Sequence, residues 1–324
     1  MAKDVLINLL SKEELKDYSF FKKKLTINSR KIVFDIFICW SMIFFSFYIF
    51  FLIKDDLIFN LILFPFLSFF ISFWKRSYLL LFHESAHYNL NKNKYINDLL
   101  SFFLFTPFTA QFVKNYRRHH WEHHVHLGTQ KDTEISYQKP LNKKNIFYSL
   151  TGIYLIKTLL RYFKVSKVNS QQKKIDKINL QGTFLFFIGL LVFFFSQLII
   201  LLILYHLISL FAAITWFITT FITDIFFANL RQTLEHRDPK FGNNDDFCII
   251  NHGEKNKLFN NNFLSYYFGG AGFNKHLIHH LDPTISYTRF IEVENYLMKT
   301  SLRNYLYTNK TTYLKELKKL IVYG

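Results

Sequence analysis

Residues 57–87 read LIFNLILFPFLSFFISFWKRSYLLLFHESAH. An uncharged run from Leu57 to Trp74 is closed by Lys75 and Arg76, continues apolar over Tyr78–Phe82, and ends in two histidines, His83 and His87, four residues apart. About 20 apolar residues in a helix span the roughly 30 Å hydrocarbon core of a bilayer. The stretch is therefore expected to cross a membrane and to deliver His83 to its edge. Three other blocks have the same character. Ile32–Ile53 holds one charge, Asp35; Thr183–Tyr205 holds none; Leu207–Thr223 holds none before Asp224. Lys54–Asp56 joins the first pair of blocks and the tip around His206 joins the second, so they read as two hairpins. The expected fold is an all-α integral membrane protein with four transmembrane helices and a cytoplasmic helical cap that carries the histidines.

Composition agrees. Of 324 residues, 50% are hydrophobic, only 19% are charged and 41 are Phe, more aromatic carbon than an ordinary soluble core takes up. Mean hydropathy is only +0.10, so the apolar residues lie in blocks. The net charge is 40 − 23 = +17. Lys22, Lys23, Lys24, Arg30 and Lys31 precede the first block, Lys75 and Arg76 close the second, and Lys92–Lys177 and the C-terminal tail are basic, while the hairpin tips carry almost no basic residues. By the positive-inside rule both termini and the long polar segments face the cytoplasm. The charge is then explained by topology and anionic lipid, and no nucleic-acid partner is expected. Cys39 and Cys248 are too few and too far apart for a disulfide framework or a cysteine zinc site. Met1–Phe20 lacks the apolar core of a secretory signal.

The chain reads as one domain, residues 1–324. A cytoplasmic segment (1–31) leads into the first hairpin (32–82), a cytoplasmic region (83–182), the second hairpin (183–228) and a second cytoplasmic region (229–324). Leu99–Val113 is apolar but contains Pro107, and would reach only about 22 Å as a helix. It is expected to be re-entrant or interfacial. Ile146–Phe163 reads as an amphipathic interfacial helix, Ser166–Lys177 as a charged linker and Asn243–Asn262 as a polar loop.

Nine of the 13 histidines fall in four clusters just outside the blocks. These are His83 and His87; His120, His123 and His124 within RRHHWEHH (117–124); His236, with Gln232 one turn before it; and His276, His279 and His280 within HLIHH (276–280). In helices, spacings of three and four residues put imidazoles on one face, where they can converge on a point. Nine ligands exceed what one metal takes, so two metals with four or five nitrogens each are expected. Imidazole suits iron, zinc, copper and nickel alike. An even number of crossings between clusters places all nine on one side, provided Leu99–Val113 does not cross. Glu84, Glu122, Asp132, Glu134, Gln232 and Glu235 are candidates to orient the imidazole N–H groups. His206 and His252 read as structural, and His119 and His126 as supporting or surface residues. Asp224 is expected to pair with Arg231.

These clusters resemble the histidine boxes of the membrane fatty acid desaturase and hydroxylase superfamily, over His83 to about Tyr287. HWEHH (120–124), followed by Gly128, Asp132 and Glu134, is similar to its second box, and NKHLIHHLDPTI (274–285) to its third. The first box is the short H-x-x-x-H form, and Asp282 stands where an aromatic often follows the third. The resemblance implies a non-haem di-iron centre, O₂ as co-substrate and a membrane lipid substrate. Its eight box histidines correspond to His83, His87, His120, His123, His124, His276, His279 and His280, and His236 resembles an additional ligand after the fourth span. The H-P-G-G haem motif of fused cytochrome b5 domains is absent, so electrons are expected from a separate donor of ferredoxin or cytochrome b5 type. The implied reaction is acyl desaturation; the alternative within the superfamily is hydroxylation or ketolation of a lipid or carotenoid. A metal transporter is a distant alternative, because its spans would carry ionisable groups along a path. Here the spans hold only Asp35 and Asp224.

Overall fold

The structure is a computed structural model that describes residues 2–134, 177–237, 255–270 and 272–322, with isolated positions between 144 and 156. The readings of Ile146–Phe163, Ser166–Lys177, His252 and most of the Asn243–Asn262 loop lie largely outside these residues. Two short helices, α1 (Ala2–Leu9) and α2 (Lys12–Lys24), lead into α3 (Ser29–Leu52) and α4 (Leu57–Ala86). A bent pair follows, α5 (Lys94–Thr109) and α6 (Val113–His126), and then α7 (Lys177–Leu207) and α8 (Leu210–His236). Among the described residues, four helices are long and apolar enough to cross a membrane: Ser29–Leu52, Leu57–Ala86, Phe184–Leu207 and Leu210–His236. One face of α3 buries Cys39, Ile43 and Phe50, while Phe34, Phe37, Phe44 and Phe45 point outward. An outward phenylalanine face suits hydrocarbon, not water.

The bent pair would count as a fifth span only if its two helices formed one. They do not run on: α5 spans 16 residues, about 24 Å of helix, ends at Ala110 in a left-handed conformation (φ 57°), and turns 83° into α6. Helix α7 holds the bend. Gln197 Nε2 donates to the Pro107 carbonyl at 2.7 Å, and the Trp216 indole donates to Gln197 Oε1 at 2.8 Å. Gly189 passes so close that a Cβ there would lie 2.7 Å from the Ala110 carbonyl oxygen. The His83 and His120 rings, one before and one after the bend, lie 4.0 Å apart, so the chain leaves and returns at the same end of the bundle.

Helix α4 runs unbroken past Lys75 and Arg76 to Ala86, with Lys75 buried, as the apolar continuation over Tyr78–Phe82 leads one to expect. One other expectation is corrected. Asp224 pairs not with Arg231 but with Arg76 (2.9 Å) and Lys75 (3.7 Å), while Arg231 pairs with Glu235 at 2.5 Å. A π-helical turn over Thr219–Thr223 lies just before Asp224 in α8, and Thr220 Oγ1 accepts from Lys75 Nζ at 3.1 Å.

Among the described residues past α8, the short strand β1 (Leu258–Phe259) pairs in parallel with β2 (Lys310–Thr311), and five short α-helices build the cap. These are α9 (Phe263–Phe268), α10 (His276–Leu281), α11 (Phe290–Leu297), α12 (Arg303–Thr308) and α13 (Tyr313–Val322). Helix α10 is clamped from both sides. Asp282, at its end, accepts from Lys22 Nζ (2.6 Å) and Tyr18 Oη (3.1 Å) of α2. Asp35 of α3, buried, accepts from Tyr266 Oη (2.8 Å) and Tyr287 Oη (2.9 Å), and the Tyr287 N–H donates to Glu84 at 2.8 Å. Before α10 the backbone is left-handed at Gly270 (φ 81°) and Gly272 (φ 105°), and a Cβ on Gly270 would fall onto the Leu80 side chain.

Candidate metal centre

The last turn of α4 carries His83 and the helix is capped by His87, α6 carries His120, His123 and His124, α8 ends at His236, and α10 carries His276, His279 and His280. All nine meet at one end of the bundle. All are buried except His124, which is half-buried. They fall into two adjoining groups. Ring nitrogens of His83, His87, His120, His124 and His279 lie within 4.8 Å of one another, and so do those of His123, His236 and His280. His276 joins the second group, its Nε2 lying 2.9 Å from that of His236 and 3.0 Å from that of His280. His124 and His280, with ring centroids 4.4 Å apart, mark the seam.

Asp132 Oδ1 lies 2.8 Å from His123 Nδ1, and Glu134 Oε1 lies 2.8 Å from His120 Nδ1. A carboxylate at Nδ1 holds the ring proton there and leaves the Nε2 lone pair facing inward. Gln232 Nε2 donates to the other oxygen of Glu134. Glu235 accepts from Arg231 (2.5 Å) and Tyr313 Oη (3.2 Å) and stands 3.7 Å from His276 Nδ1. Two candidates do not reach the imidazoles. Glu84 receives the Tyr287 amide, and Glu122 projects outward to Arg118 at 4.0 Å, because two residues along a helix from His120 is the wrong face. His119 and His206 are exposed and His126 is half-buried.

Three contributors were not visible in the sequence. His236 Nδ1 donates to the Lys255 carbonyl at 3.1 Å, a backbone acceptor that no side-chain pattern announces. Arg117 Nε donates to the Ala86 carbonyl at 2.8 Å and so joins the end of α4 to α6. The Tyr116 ring stacks on His120 at 5.3 Å, and a tyrosine four residues before a box histidine was the available signal. Replacing Asp132 with Asn is expected to weaken metal binding about 10- to 100-fold, read by competition with a chromophoric chelator.

So many buried imidazoles at such short range are electrostatically uneasy. Burial, reinforced by neighbouring rings, holds His87, His124, His276, His279 and His280 well below the ordinary imidazole value of 6.5. Burial also lowers His120, although Glu134 opposes it. At His123 burial acts downward too, but Glu134 and Asp132 outweigh it and raise the ring. Burial would raise Glu134; His123 and His120 instead hold it well below the usual carboxylate range. In the unfolded chain the depressed histidines take up protons near pH 6.5, whereas folded they do not. Stability of metal-free protein should therefore rise with pH through that range and fall on acidification from about pH 7 to 5. The slope should exceed the roughly 1.4 kcal/mol per pH unit of a single proton, as thermal unfolding in detergent would measure.

The residues present fit metal ions on two counts. His279 Nε2 and His124 Nε2 lie 3.0 Å apart, as do His124 Nε2 and His120 Nε2. Imidazole nitrogens about 2.1 Å from one centre and at right angles to it lie about 3.0 Å apart. Both ring nitrogens of His87 are also buried without a hydrogen-bond partner, and a cation would satisfy the one that carries the lone pair. The family model described as fatty acid desaturase matches residues 58–312, a range that includes all four clusters. The chain belongs to the fatty acid desaturase family. No curated protein matches it significantly. As a desaturase-family protein it is a membrane oxidoreductase of the lipid-oxidising kind, with a buried histidine-rich cluster compatible with metal binding.

Proposed function

We propose that this desaturase-family protein is an O₂-dependent di-iron enzyme that introduces a C=C bond into a fatty acyl chain of a membrane lipid. The observation that carries the reading is the convergence of nine imidazoles from four helices into buried groups of five and four. His83, His87, His120, His124 and His279 would hold one iron, and His123, His236, His276 and His280 the other. When bound, the metal pair supplies the O₂ activation and hydrogen abstraction that no side-chain acid or base can perform on an unactivated methylene.

The chain's own residues do the rest. Asp132, Glu134 and the Lys255 carbonyl keep the Nδ1 protons of His123, His120 and His236 in place, so that each Nε2 is free to ligate. Phe273 and Phe290, both 1% exposed, press on His279 and keep water from that side. The apolar spans admit an acyl chain from the bilayer to the histidine end of the bundle. The balance is R–CH₂–CH₂–R′ + O₂ + 2 e⁻ + 2 H⁺ → R–CH=CH–R′ + 2 H₂O, the electrons coming from a separate ferredoxin or cytochrome b5. The charge distribution supports a cytoplasmic site with both termini on that side, and the ties of Lys22 to Asp282 and of Asp35 to Tyr266 support residues 1–324 acting as one domain.

Mass spectrometry of membrane lipids from an expressing host tests the reaction. Acyl chains lighter by two hydrogens are expected. Chains heavier by one oxygen would make the protein a hydroxylase, and vectorial metal uptake without lipid change would make it a transporter.

A further inference from the structure

We propose that the indole of Trp121 is the port through which electrons reach the imidazole cluster, and that the basic stripe of α6 around it docks an acidic one-electron carrier of the ferredoxin type. The proposal rests on the oxidase reading above. Eight of the nine histidines are buried and His124 is half-buried, so a carrier needs a group that connects them to the surface. Trp121 is 40% exposed, and its ring meets His87 edge-on at 5.3 Å and lies 6.0 Å from His124, both in the five-histidine group. Among the described residues, the other non-histidine rings against that group, Tyr116, Phe273 and Phe290, are buried or half-buried. Trp121 is thus a π-system that is partly exposed and packs edge-on against a candidate ligand.

The charge around it is positive. Lys114, Arg117 and Arg118 precede Trp121 by seven, four and three residues and so share its side of the helix. Arg117 and Lys94 also flank the Tyr88 ring, next to His87, at 3.8 and 5.1 Å. Among the described residues, the acids paired with this stripe are Asp98, on Arg117 at 2.5 Å, and Glu122, 4.0 Å from Arg118, so four cations face two carboxylates. An acidic carrier is the complementary partner. Each docking oxidises one carrier by one electron. Two dockings supply the two electrons that, with O₂ and two protons, remove two hydrogens from the acyl chain and yield two waters.

The test uses iron-loaded full-length protein in phosphatidylcholine nanodiscs, with reduced plant-type [2Fe–2S] ferredoxin or reduced methyl viologen as donor. Arg118→Glu with Lys114→Glu is expected to weaken ferredoxin binding, read by surface plasmon resonance, by about tenfold at low salt, with the difference closing as salt rises. Trp121→Leu is expected to keep most of the binding but to lower the ratio of ferredoxin oxidation rate to viologen oxidation rate. Unchanged ferredoxin binding in the charge variant overturns the docking surface, as does an effect confined to flotation with phosphatidylglycerol vesicles, which would make the stripe a lipid contact. Equal slowing of both donors by Trp121→Leu overturns the port. Wild-type protein that oxidises neither donor in the presence of acyl lipid would instead sink the oxidase reading, and this proposal with it.

Discussion

Replacing His124 with alanine is expected to abolish product formation while leaving membrane insertion intact. His124 Nε2 lies 3.0 Å from Nε2 of both His120 and His279, and its ring lies 4.4 Å from His280. Its loss therefore removes a nitrogen from one group and a wall from the other. Loss of a residue that merely orients a ligand commonly costs 10- to 100-fold, so loss of a ligand should cost at least about 100-fold. His279→Ala should behave alike, because His279 also contacts His83 and His87. Neither residue lies in an apolar span, so both variants should be recovered from the membrane in normal amounts. Lipid mass spectrometry and detergent gel filtration together check this; full activity in both variants would be irreconcilable with the proposed site.

The second large effect is on stability. Lys75 is 1% exposed inside the bundle, with Asp224 at 3.7 Å and Thr220 at 3.1 Å. Replacing Asp224 with alanine leaves that ammonium buried with its counter-charge gone. Breaking a buried pair from one side costs about 3–5 kcal/mol, whereas replacing both partners with apolar residues is often close to neutral. Asp224→Ala should therefore unfold at a clearly lower temperature in detergent, and Lys75→Met with Asp224→Leu should regain part of the loss, the remainder reflecting Arg76, which still lacks its partner. A single variant as stable as the wild type would mean that the pair carries no structural weight.

What the sequence made legible follows from what is local. Apolar blocks of membrane length, histidines at helical spacing and a segment too short to cross can each be read within about 20 residues, and α3, α4, α7, α8 and the α5–α6 bend follow those readings. Asp132 and Glu134 are close enough to the second box to be suspected. Partners far apart in the chain have no such signature. Asp224 finds Arg76, 148 residues away, instead of Arg231, because helix packing, not sequence distance, sets its neighbours. Asp282 binds Lys22 across 260 residues, and Asp35 gathers Tyr266 and Tyr287 from the far cap. Glu122 stands between box histidines in the sequence, yet helical rotation turns it outward to Arg118.

The metal content of purified protein tests the convergence most directly. Protein from iron-supplied cells, analysed by inductively coupled plasma mass spectrometry, should hold two irons per chain, and His279→Ala protein clearly fewer. One metal or none in active wild-type protein, or an undiminished pair in the variant, would contradict a centre built from these nine imidazoles.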